Sequence, residues 1–115
     1  MEKILILDDD VDITTMLSDF LKSNFNPACF NDPELAYNHF QNNGPFRSVI
    51  VDLDMPKING EKFIGLIREI NPEQNITIIT GVEDLDLMEH LVTKYPKCRI
   101  LKKPFDLNRL LLELL

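Results

Sequence analysis

Short runs of Ile, Leu and Val that do not alternate with polar residues are how strands covered on both faces read. This chain has four of them, and each runs into a polar residue. Ile4-Leu5-Ile6-Leu7 runs into Asp8-Asp9-Asp10, Val49-Ile50-Val51 into Asp52, Ile76-Thr77-Ile78-Ile79 into Thr80, and Arg99-Ile100-Leu101-Lys102 into Lys103-Pro104. If the runs are parallel strands, their polar ends share one edge of one sheet. Three carboxylates, a hydroxyl and an ammonium then converge there, a set suited to a divalent cation and a phosphoryl group.

The segments between the runs predict helices. Strands are expected over 3–7, 27–30, 47–51, 76–80 and 99–102, and helices over 11–24, 33–41, 61–70, 84–95 and 106–115. The 27–30 strand is weak and expected at an edge, since Pro27 cannot donate to a ladder. Asp10 and Asp32 are candidate N-caps, the latter with Pro33 at the first helical position. Inward stripes are expected from Ile13, Met16, Leu17, Phe20 and Leu21, from Phe63, Leu66, Ile67 and Ile70, from Leu85, Met88, Leu91, Val92 and Tyr95, and from Leu107, Leu110, Leu111 and Leu114. Alternating strands and helices imply an α/β fold, a five-stranded parallel sheet doubly wound with helices on both faces. Ligands in such sheets bind beyond the carboxyl ends of the strands.

The chain of 115 residues is expected to form a single domain, 1–115. Its net charge of -7 argues against nucleic acid or an anionic membrane as direct partners. No apolar stretch approaches the ~20 residues of a membrane span, and a four-residue run that stops at three aspartates is no signal peptide. Cys29 and Cys98 lack metal or redox spacing and read as free thiols of a reducing compartment. A cytoplasmic location is expected.

Asp8, Asp9 and Asp52 can supply oxygens to Mg2+, or to another divalent cation such as Mn2+. Without a cation they repel one another, by about 4 kcal/mol for unit charges ~4 Å apart at an effective dielectric near 20. A carboxylate attacks a phosphoryl donor poorly because like charges approach, and a metal with Lys103 relieves that. Asp52 is the best nucleophile candidate, Thr80 can hydrogen-bond a phosphoryl oxygen, and Gly81 leaves room for the group. Any one of these residues alone reads as a turn former or N-cap; the conjunction at four strand ends carries the argument.

These residues together resemble the receiver domain of two-component response regulators, a chemotaxis-regulator-like fold. The resemblance is carried by Ile4–Asp10, by Val51-Asp52-Leu53-Asp54-Met55-Pro56 with Gly60 beyond, by Ile79-Thr80-Gly81, and by Lys103-Pro104-Phe105. It implies a flavodoxin-like strand order of 2-1-3-4-5 and a cis Lys103-Pro104 bond. It also implies that Asp52 is the phosphoacceptor. Asp9 and Asp52 would bind Mg2+ through side chains, Asp54 through its backbone carbonyl and Asp8 through a metal-bound water. Thr80 and Lys103 would contact the phosphoryl group. The implied donor is a phosphohistidine on a histidine kinase or phosphotransfer protein. The implied role is a phosphorylation-dependent signalling switch, not an enzyme beyond self-phosphotransfer and autodephosphorylation. Ile100 departs from the family's aromatic at that position, so the usual threonine–aromatic coupling is not expected. The segment from Tyr95 to Cys98 lacks the family's Gly-Ala step. Asp54, where Asn is frequent, is expected to tune dephosphorylation.

Two rival readings are an aspartyl-phosphate phosphohydrolase, suggested by Asp52-Leu53-Asp54, and a non-phosphorylated pseudo-receiver that only binds partners. His39 and His90 read as ordinary surface or boundary residues. Leu112 and Leu115 fall off the last helix's stripe and mark either a homodimer or output-partner face on the last two helices or the stump of a longer helix. No DNA-binding or catalytic segment follows Leu115, so the chain is expected to be a stand-alone receiver or a regulator without its output domain.

Overall fold

The computed structural model describes residues 1–56 and 59–115. Strands β1 (Lys3–Leu7), β2 (Asn26–Phe30), β3 (Ser48–Asp52), β4 (Ile76–Thr80) and β5 (Cys98–Lys102) alternate with helices α1 (Val11–Leu21), α2 (Pro33–Asn43), α3 (Gly60–Ile70), α4 (Leu85–Lys94) and α5 (Leu107–Leu114). All pairings are parallel, and the order is β2-β1-β3-β4-β5. This is the expected doubly wound sheet, with the Pro27 strand at an edge.

Side chains leave a strand alternately on two faces, so each buried strand feeds two cores. Leu5, Leu7, Val49, Val51, Ile76 and Ile78 pack under Ala36 and Phe40 of α2, Phe63, Ile64 and Ile67 of α3, and Leu91 of α4. Ile4, Ile6, Ile50, Ile79 and Leu101 pack under Leu17 and Leu21 of α1 and Leu110 and Leu114 of α5. Each helix opens on an acidic or amide cap whose side chain accepts a backbone N–H: Asp10, Asp32, Asn59, Asp84 and Asp106.

The structure corrects several boundaries and stripes. α1 stops at Leu21 because the chain turns at Lys22–Asn24 to bury Phe25. α2 runs two residues past Gln41, and α3 already includes Gly60, with Asn59 as its cap. Met16, expected inward, is exposed, because α1 buries Thr14, Leu17 and Leu21 instead. Ile70 at the end of α3 is also partly exposed, at 40%. In α4 the inward line is Leu87, Leu91 and Tyr95, so Leu85 (75% exposed) and Val92 point away from the core. α4 covers the β4–β5 side of the sheet with one narrow stripe, and its remaining apolar residues stay outside. Leu112 and Leu115 are exposed, as expected. Cys29 and Cys98 are half-buried free thiols. No helix among the described residues is long and apolar enough to cross a membrane.

Candidate functional site

Register brings the polar strand ends together. Leu7 pairs with Val51, so Asp8 and Asp52 follow side by side on adjacent strands. Asp52 pairs with Ile79, and Thr80 with Lys102. The ladder continues one step further, with Leu53 N donating to the Ile79 carbonyl and Lys103 N to the Thr80 carbonyl, both at 2.8 Å. Asp52, Thr80 and Lys103 are thus each held by a ladder bond at or beside them. Gly60 lets α3 start close behind: a Cβ there would lie 3.1 Å from Leu53 Cδ1 and 3.4 Å from the Asp52 carbonyl oxygen.

Asp52 is 6% exposed. Its Oδ1 accepts from Asp54 N at 2.7 Å, and its Oδ2 accepts from Lys103 Nζ at 2.8 Å. Asp8 is also buried, and its Oδ1 accepts from Asp10 N at 3.0 Å. Burial, and then the neighbouring Asp52 carboxylate, push the Asp8 carboxyl up to about 7; the Asp10 amide and the more distant Lys103 oppose this without overcoming it. Burial works against the charge on Lys103, yet Asp52, Asp54 and Asp8 together hold its ammonium above the ordinary lysine range. The Lys103-Pro104 bond is cis, as is Gly44-Pro45.

Asp54 does something the sequence did not suggest. Its Oδ1 accepts from Thr80 Oγ1 at 2.7 Å, its Oδ2 from Gly81 N at 2.6 Å, and the same oxygen lies 3.6 Å from Lys103 Nζ. Burial opposes the charge, but the Thr80 and Gly81 hydrogen bonds and then Lys103 hold this carboxyl below its ordinary value. Thr80 Oγ1 in turn accepts from Val82 N at 3.1 Å. Asn31 was also missed. Its Nδ2 donates to the Asp8 carbonyl at 2.8 Å and to Thr14 Oγ1 at 3.2 Å, tying the end of β2 to the site. The signal was available, since β2 also ends in a polar residue, but a strand opened by Asn26-Pro27 is a weak run.

Asp8, Asp52, Asp54, Thr80 and Lys103 therefore form one contiguous group. Asp9 lies half-buried at the same strand end and joins none of these contacts among the described residues. Among those residues no three acidic, histidine or cysteine side chains close on a common point to hold a metal. The donor set nonetheless suits a hard cation that keeps several waters and needs few protein oxygens. Two buried carboxylates meet, one of them driven towards its neutral form by burial and by the charge of the other.

A family model described as the response regulator receiver domain matches residues 4–115. The chain belongs to the response regulator receiver family. Among curated proteins, this receiver is 30% identical to the response regulator receiver protein CpdR of Brucella abortus, over 99% of this chain and 94% of that protein. It is also 30% identical to the transcriptional regulatory protein CpxR homolog of Haemophilus influenzae, over 92% of this chain but only 45% of that protein. Among solved structures, the chemotaxis protein CheY4 of Vibrio cholerae superposes with a TM-score of 0.88 at 25% identity, covering 99% of this chain and 96% of that one. A receiver is a regulatory domain of two-component signalling, and its five-stranded fold in the order 2-1-3-4-5 is the one found here.

Proposed function

We propose that this receiver is a signalling switch whose phosphoacceptor is Asp52. The observation that carries the reading is the placement of Asp52: buried at the carboxyl edge of the sheet, beside Asp8, with Lys103 Nζ 2.8 Å from its Oδ2. An Asp52 oxygen attacks the phosphorus of a phosphohistidine on a histidine kinase or phosphotransfer protein. The new O–P bond forms as the P–N bond breaks and the imidazole leaves with the electron pair. Lys103 neutralises charge on the phosphoryl oxygens as they approach. Asp9 and Asp52 would hold a Mg2+ ion through their side chains, Asp54 through its carbonyl and Asp8 through a water. When bound, such an ion would supply positive charge that offsets the acidic edge as a phosphoryl group approaches.

The phosphoryl group adds nearly two negative charges and is read by Thr80 and Lys103. Thr80 passes the change to the loop before α4 through its bond from Val82 N. Ile100 is half-buried against the α2–α4 core, so a wide aromatic swing is not the relay here. The outer face of α4 and α5, with Leu85, Val92, Leu112 and Leu115 exposed, is the surface for a homodimer or an output partner. A kinase-fed switch of this kind works in the cytoplasm.

Incubation with Mg2+ and acetyl phosphate or phosphoramidate, followed by intact mass, tests the reading. A single phosphoryl adduct lost in Asp52→Asn is expected. No adduct in the wild-type chain would leave a partner-binding module, and rapid turnover of many phosphate esters would leave a phosphohydrolase.

A further inference from the structure

Three donors at the strand ends beside Asp52 are already engaged. Thr80 Oγ1 donates to Asp54 Oδ1 at 2.7 Å, Gly81 N donates to Asp54 Oδ2 at 2.6 Å, and Lys103 Nζ stands 3.6 Å from that oxygen. Two acceptor oxygens on one anionic group, facing a hydroxyl, an amide and an ammonium, reproduce what two phosphoryl oxygens would do there. Gly81 makes this possible. A Cβ at that position would lie 3.3 Å from Asp54 Oδ2 and 3.6 Å from Lys103 Cβ, so any larger residue would crowd the carboxylate away from the amide. The Asp54 side chain is 26% exposed, which leaves it a route out to solvent.

From this geometry we infer that the Asp54 carboxylate is an internal occupant of the phosphoryl-oxygen donors, and that phosphorylation of Asp52 requires it to swing out. The inference rests on the reading of Asp52 as phosphoacceptor. A carboxylate and a phosphoryl group cannot both accept the single proton of Thr80 Oγ1 or of Gly81 N. Two anions sharing Lys103 also repel each other. Asp54 is therefore a positioning residue that holds the donors in place, already aimed at the sheet edge, and must release them before the phosphoryl group can be bound. The closed form slows uptake, and the return of the carboxylate after hydrolysis restores it.

The test follows the rate at which the full chain gains a phosphoryl mass from acetyl phosphate with Mg2+. In this reaction the Asp52 O–P bond forms, the acetyl O–P bond breaks, and acetate leaves with the electron pair. Asp54→Ala frees all three donors, and uptake roughly tenfold faster is expected from the loss of competing charge-assisted hydrogen bonds. Asp54→Asn removes the charge but keeps one acceptor oxygen, so its rate is expected between wild type and Asp54→Ala. A second measurement on the same proteins titrates beryllofluoride with Mg2+ by fluorine NMR, and binding should tighten in the same order. An Asp54→Ala chain that is folded by its thermal transition but no faster than wild type would overturn the inference while leaving Asp52 as phosphoacceptor. Equal rates in Asp54→Asn and Asp54→Ala would overturn it in favour of simple charge repulsion. No adduct in any of the three, wild type included, would overturn the phosphoacceptor reading and this inference with it.

Discussion

The same five strands end in opposite electrostatic worlds. At their amino ends each of these cations faces a carboxylate: Arg47 with Glu2 at 2.9 Å, Lys97 with Glu73 at 3.2 Å, and Arg99 with Glu113 at 3.1 Å. Most of these side chains are wet, Arg99 being 66% exposed. At the carboxyl ends Asp8, Asp52 and Asp54 crowd around Lys103, with Asp9 half-buried at the same strand end, and the Asp52 side chain is only 7% exposed. Matched exposed pairs contribute little either way. An unmatched, buried excess of one sign is unfavourable in the resting fold, and it makes sense only if another charge arrives during function. The pKa directions say the same: Glu113 is pulled below the ordinary carboxyl range, first by its hydrogen bond from Arg99, while Asp8 is pushed above it by burial.

The comparison is broken most forcefully at Lys103. Lys103→Met removes the single side-chain cation that contacts both Asp52 and Asp54 among the described residues. Phosphoryl uptake from acetyl phosphate is expected to fall about a hundredfold or more, the usual loss for a donor that meets developing charge. An unchanged rate, read by intact mass, would mean that the carboxyl edge is no more functional than the amino edge.

Asp8 tests the cost of the excess itself. Its carboxyl binds a proton more tightly in the fold, near pH 7, than in the unfolded chain at the ordinary aspartate value of 3.8. Its contribution to stability is therefore full below about pH 4 and is lost as pH rises through about 7. Asp8→Asn escapes that loss. In metal-free buffer it should match wild type near pH 4 and exceed it at pH 8, by on the order of 2–4 kcal/mol in denaturant titrations. Added Mg2+ should narrow the gap by stabilising the wild type. An equal gap at both pH values would show that Asp8 is not strained by burial.

Much of this edge was legible before any coordinates, because short apolar runs ending in polar residues are a property of the chain order alone. β1, β3 and β4 are buried on both faces, so their sequences carry no competing pattern, and Asp8, Asp52 and Thr80 fall out as strand ends. What stayed illegible depends on side-chain direction or on a weak run. The Asp54 carboxylate turns towards Thr80 and Gly81, and no spacing reveals that. α4 is apolar on more than one face, so periodicity placed Leu85 and Val92 inward alongside Leu91 and Tyr95, when it is Leu87 that joins those two on that side. Asn31 hid behind a strand that opens with Asn26-Pro27.

Asn31 makes the next prediction. Its amide satisfies the Asp8 carbonyl and the buried Thr14 hydroxyl from outside the acidic cluster. Asn31→Ala should cost about 1–2 kcal/mol of stability in chemical denaturation, with the rate of phosphoryl uptake changed far less than in Lys103→Met. A rate loss as large as that of the lysine variant would place Asn31 inside the reacting group instead of behind it.

The amino edge supplies the smallest effect and the sharpest contrast. The Arg99–Glu113 pair holds the Glu113 carboxyl below its ordinary value, so its contribution is present above the unfolded carboxyl pKa and is lost as pH falls through the lowered one. That sign is opposite to Asp8. The magnitude is small, because Arg99 stands in solvent and Arg109 offers Glu113 a second partner at 3.3 Å. A double-mutant cycle of Arg99→Ala and Glu113→Gln should give a coupling below about 0.5 kcal/mol at neutral pH, fading in high salt, with phosphoryl uptake unchanged. A coupling of several kcal/mol, or a slowed uptake, would show that the two ends of the sheet are not electrostatically independent. The acidic excess at the carboxyl edge would then be balanced across the sheet rather than by the cation and phosphoryl chemistry assigned to it.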